Sequence, residues 1–116
     1  MKNKRENIGH WRSTLYQEKN HYKINLHGVI PTTNPGANCR LICMEEFSDP
    51  DTSLIYRLEE AQAINVESEA QTYLVSSRTI TGQCPYKKIA IIGFRPGERH
   101  SFLIAIVKIE EGIGEL

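Results

Sequence analysis

The densest group of reactive side chains in the sequence is Arg95-Pro96-Gly97-Glu98-Arg99-His100. Two guanidinium groups and an imidazole around a glycine can cradle an anion, because guanidinium forks match carboxylate and phosphate oxygens two at a time. Arg95, Arg99 and His100 are therefore an anion-binding candidate. The plainer reading is a charged hairpin tip that keeps two sticky strands soluble. A phosphate loop of the P-loop kind needs a glycine-rich turn feeding a helix, which this segment lacks. The other histidines are His10, His21 and His27. His21 and His27 share strand parity with Lys23 and Asn25, so they lie on a polar face about 20 Å apart, too far to bind one metal together.

The remaining candidates are dispersed. Glu45, Glu46, Asp49, Asp51, Glu59, Glu60, Glu67 and Glu69 fall at strand ends and in loops, and Asp49-Pro50-Asp51-Thr52 lacks the ligand spacing of a calcium loop. Cys39, Cys43 and Cys84 are odd in number and match no metal spacing. Cys39 and Cys43 stand about 13 Å apart on a strand, beyond disulfide reach. They read as reduced thiols serving as small core residues, and a bridge from Cys84 to either needs a fold that brings those strands together. No Ser or Cys sits in a nucleophile elbow. The expectation is a non-catalytic chain with no cofactor and no metal, although strands can still assemble distant residues into a site.

The 116 residues suit one domain. Hydrophobic residues are 40% and charged residues 24%, which are globular values. Fourteen Lys plus Arg balance fourteen Asp plus Glu, a formal charge of +0. That balance argues against a nucleic-acid partner, which calls for a net or clustered positive field. No run approaches the roughly 20 apolar residues of a membrane span. The charged N-terminus is not followed by the apolar run of a signal peptide, so the expected location is the cytoplasm and no membrane partner is expected.

Elements follow from periodicity. Residues 1–21 are polar, with Ile8, Trp11 and Leu15 at helical spacing, and are expected as an arm anchored by Trp11 or a short helix. Tyr22, Ile24 and Leu26 alternate with polar residues, giving a strand that stops near Pro31. Asn34-Pro35-Gly36 is a turn. Further strands are expected at 39–47, 53–59, 70–80, 86–94 and 101–110, with a helical turn in Glu59-Glu60-Ala61-Gln62-Ala63-Ile64-Asn65 and a frayed tail at 111–116. Six or seven strands with regular turns over 22–110 predict a single antiparallel β-sandwich, with a small closed β-barrel as the alternative. The sandwich is similar in architecture to immunoglobulin-like and fibronectin-like domains, with Tyr86 near the start of the penultimate strand as their corner tyrosine is.

The last hairpin is apolar on both faces. A register pairing Gly93 with Phe102 groups Ile89, Ile91, Phe102, Ile104 and Ile106 on one face. Ala90, Ile92, Phe94, Leu103, Ala105 and Val107 then form the other. Burying one such side chain is worth about 1.5–3 kcal/mol, so the second face requires a cover. The candidates are the Trp11 segment, the turn at 59–65, or a second copy of the chain. The resulting expectation is a self-associating or docking module using the second face, with a homo-oligomer or protein partner. Gly9-His10-Trp11, followed by Arg12, resembles the G-x-W start of lipocalin-like barrels. That resemblance implies a cup with Trp11 closing its floor and an apolar ligand inside.

Overall fold

A computed structural model describes residues 7–45, 53–95 and 97–112. They form seven strands in one sheet. β1 is His10–Gln17, β2 His21–Pro31, β3 Arg40–Cys43, β4 Ser53–Glu59, β5 Gln71–Thr81, β6 Lys88–Phe94 and β7 Ser101–Glu111. A 3₁₀ turn, Ala61–Ala63, follows β4. The strand order is β3-β4-β6-β7-β1-β2-β5. The fold is therefore mainly β, with the predicted strands in place. The sheet differs from the expected sandwich in two respects. It is mixed, because β1 runs parallel to β7 and β4 parallel to β6. It also curls until β5 and β3 nearly meet, which fits the closed barrel better than two stacked sheets.

Residues of β4 and of the segments flanking β3 bridge across the seam to β5. The Ser76 hydroxyl donates to Tyr56 Oη at 3.4 Å, and the Arg78 guanidinium meets Glu45 at 2.9 Å. At the other end of the seam, the Ala37 amide donates to Thr72 Oγ1 at 2.8 Å, and the Gly36 amide to the Gln71 carbonyl at 3.2 Å. Closure of this kind lessens the exposure of unpaired edges, the chief hazard of an open sheet.

Strand alternation sets the interior. Tyr22, Ile24, Leu26 and Ile30 of β2, Leu54, Tyr56 and Leu58 of β4, and Ile89 and Ile91 of β6 are all buried. The period of two legible in these segments is the cause, since every second side chain faces the core. These side chains, with Ile104, Ala105 and Val107 of β7, fill the barrel. The strand order is also not that of an up-and-down cup, in which each strand pairs with its sequence neighbours.

The segment expected as an arm or helix is instead β1, which lies between β2 and β7. Trp11, Ser13 and Leu15 carry its inward alternation, and the small polar Ser13 in the middle hides that pattern in the sequence. Ser13 is 1% exposed, and its hydroxyl has no hydrogen-bond partner among the described residues. Trp11 lies flat over Gly28, its cross-strand partner, and its Nε1 donates to the Ile8 carbonyl at 2.7 Å. The predicted helical turn packs at the same end, where Ala61 sits against Gly93.

A Cβ at position 28 would stand 2.3 Å from the Trp11 ring, which its own hydrogen bond holds in place. Gly28→Ala is expected to destabilise the fold by about 1–3 kcal/mol through overpacking. Urea denaturation followed by Trp11 fluorescence measures it, and an unchanged midpoint would contradict this packing.

Candidate functional site

The hairpin of β6 and β7 carries the surface singled out by sequence. Gly93 pairs with Phe102 and Ile92 with Leu103, as the symmetric register requires. Ile91 then pairs with Ala105, so Ile104 is an extra residue in β7. This is a β-bulge, with two residues on one strand opposite one on the other. Ile104 and Ala105 both turn inward, each 1% exposed, and every later residue of β7 changes face.

The bulge corrects the proposed surface. Ala90, Ile92, Phe94 and Leu103 face outward and are half-buried. Ala105 and Val107 are buried in the core, whereas Ile106, expected inside, is 43% exposed. The Asn7 side chain clamps the Ile106 peptide, its Nδ2 donating to the carbonyl and its Oδ1 accepting from the amide, both at 3.1 Å. No periodicity argument reveals a bulge, because one inserted residue inverts the pattern that periodicity measures.

Neighbouring strands widen this surface into a panel. Ile42, Arg57, Ile92 and Leu103 form one cross-strand row, and Ile55, Ala90 and Ile106 form the next. Lys88 and Lys108 pair at one border. The one charge inside the panel, Arg57, meets Glu59 at 3.1 Å, and Glu59 also meets Arg40 at 2.7 Å. Hydrogen bonding from Arg40, aided by Arg57, holds the Glu59 carboxyl below the usual carboxylate range. Two of the three proposed covers lie elsewhere. Trp11 is packed against the core in β1, and the turn at 61–63 packs at the barrel end.

The tip loop presents Arg99 and His100 to solvent, while the Arg95 guanidinium lies over the Phe102 ring at 4.3 Å. That cation–π contact draws Arg95 toward the barrel-end cleft of about 470 Å³, which Ile8, Ile64, Val66 and Phe102 also line. Pro96 lies outside the described residues. His10, His21 and His27 sit on the outer surface of β1 and β2, His27 directly opposite Arg12.

The three cysteines are free, with Cys39 buried and Cys43 and Cys84 half-buried. Burial pushes all three thiols above their ordinary value, and at Cys43 the nearby Arg78 works in the opposite direction. Burial also raises the phenols of Tyr22, Tyr56 and Tyr86; Tyr22 is raised further by the Cys84 thiol and the Tyr86 phenol beside it. Raised thiols are poor nucleophiles, which suits a packing role. Among the described residues, no three His, Cys, Asp or Glu side chains gather as a metal site would require. Compared with known proteins, the chain matches no family model, no curated protein and no solved structure.

Two outcomes follow from the geometry. Ile106→Lys is expected to leave the fold intact, whereas Val107→Lys buries a charge in the core and abolishes cooperative unfolding; thermal melts of both variants separate the bulged register from the symmetric one. The raised thiols and phenols mean that the unfolded chain sheds protons first. Stability is thus fully present below the ordinary thiol value of 9.0 and falls as pH rises through that and the phenol value of 10.0. Urea midpoints between neutral and strongly alkaline pH read this out, and Tyr22→Phe should make the fall shallower.

Proposed function

We propose that the chain is a non-catalytic assembly module that self-associates through the outer panel of β4, β6 and β7. The observation that carries this reading is the panel itself: Ile42 of β3, Ile55 of β4, Ala90, Ile92 and Phe94 of β6, and Leu103 and Ile106 of β7 face outward across four adjacent strands. An antiparallel or mixed sheet facing water ordinarily shows mostly polar residues there. Contiguous apolar area of this kind marks an interaction site more often than it marks a bare monomer surface.

A second copy is the partner that the charges favour. The formal charge of +0 leaves no net repulsion between copies. Arg57 is already neutralised by Glu59, so a facing copy meets no unpaired charge at the centre of the panel. Face-to-face stacking about a two-fold axis brings like surface to like surface, as isologous dimers do, at the roughly 10 Å spacing of packed sheets. This occupant takes the place of the internal covers considered from the sequence. Docking onto a different protein would use the same face.

Sedimentation velocity on the purified chain at micromolar concentration tests the proposal. The expected result is a dimer or larger assembly that dissociates to a folded monomer in Ile92→Asp and Leu103→Asp. A monomeric parent chain, with both variants equally folded and soluble, would remove the basis for self-association.

A further inference from the structure

The balanced total charge conceals an uneven distribution. Outward residues of β1, β2 and β5 form a regular grid on a different stretch of the barrel wall. Its rows are His10–Val29–Tyr73, Arg12–His27–Val75, Thr14–Asn25–Ser77 and Tyr16–Lys23–Thr79, with His21 opposite Thr81 beyond them. None of these positions is Asp or Glu, although the chain contains fourteen. Three of the four histidines are here, with Arg12 and Lys23. Two apolar side chains stand well out of the wall, Tyr73 at 78% exposure and Val75 at 71%.

We infer that this face binds single-stranded nucleic acid. Proteins that hold single strands without strong sequence preference combine cationic side chains along the backbone with exposed aromatic rings on which bases stack. Arg12 and Lys23 supply the first element, and His10, His21 and His27 add ring nitrogens that can hydrogen-bond along the same path. Tyr73 supplies the second, with its ring free in solvent beside Val29 and Val75. Arg12 and His27 also join two shallow clefts. One, of about 270 Å³, lies over Gly28 and is bounded by His10, Val29 and Tyr73. The other, of about 500 Å³, runs over Thr14 and Tyr16 to Glu110 and Glu111 of β7. Those two carboxylates repel phosphates from the β7 side. The strand is thereby confined to β1, β2 and β5, with its bases toward Tyr73. Asn25, Ser77 and Thr79 offer neutral donors and acceptors along that path. An acidic peptide would satisfy the cations but would leave the exposed ring without a flat partner, so nucleic acid is the better match. This inference does not depend on self-association, which uses other strands.

Fluorescence anisotropy with labelled oligo-deoxythymidine and oligo-uridine of about twelve nucleotides tests it on the full chain at about 50 mM salt. Saturable binding is expected, weaker for a duplex of the same length. Tyr73→Ala should weaken it roughly fivefold to a hundredfold, the stacking contribution of one base. Arg12→Ala and Lys23→Ala should each reduce the salt slope by about 0.7. These side chains are on the surface, and circular dichroism confirms that the variants remain folded. Failure to bind either oligonucleotide overturns the inference. So does binding that is unaffected by Tyr73→Ala and equally displaced by polyglutamate, the behaviour of a general anionic-peptide surface.

Discussion

The short parallel ladder between the first and last strands holds the molecule together. β1 meets β7 at Ser13–Ile109, Thr14–Glu110 and Leu15–Glu111. Without it there would be two separate sheets, β1-β2-β5 and β3-β4-β6-β7, each with an apolar face larger than it could cover. The ladder is extended by the Ile8 amide, which donates to the Ile104 carbonyl at 2.9 Å, and by the Asn7 clamp on Ile106. Joining the two halves curls the sheet until β5 nearly reaches β3. The core then fills from both halves, with Tyr22, Ile24 and Leu26 on one side and Leu54, Tyr56 and Ile89 on the other.

The bulge at Ile104 belongs to the same region and follows the same logic. The Ile8 amide pairs with the carbonyl of the inserted residue, and Asn7 satisfies the peptide two residues on. One extra residue bends a strand and strengthens its twist, as closing a narrow barrel demands. Its cost is a change of phase along β7. The side chain displaced outward, Ile106, is apolar and joins Ala90, Ile92 and Leu103. The geometry that closes the barrel therefore also completes the apolar panel.

The two candidate surfaces differ in charge within a chain whose formal charge is +0. The wall of β1, β2 and β5 has no carboxylate among its outward positions, and the panel of β4, β6 and β7 holds its single interior charge in an ion pair. The wall is assembled from strands distant in sequence. The Tyr73 row, for example, brings together residues 10, 29 and 73. No local window of the chain shows that wall, whereas the hairpin of β6 and β7 shows the apolar character of the panel within one stretch of sequence.

The sequence by itself determined the strands and their inward residues. Segments 53–59 and 101–110 lie within a residue of β4 and β7, and the alternation of Tyr22, Ile24 and Leu26 correctly names a buried face. Both follow from local physics, because strand pleating imposes a period of two on any half-buried segment. β1 escaped that test because Ser13 interrupts its apolar alternation. Tertiary structure alone decided the rest. The parallel pairings depend on which hairpins meet. The bulge depends on curvature imposed by the whole barrel, and it moved Ala105 and Val107 inside and Ile106 out. The acid-free wall depends on register across three strands. These are long-range consequences of closing one sheet on itself, and a periodicity read along the chain does not contain them.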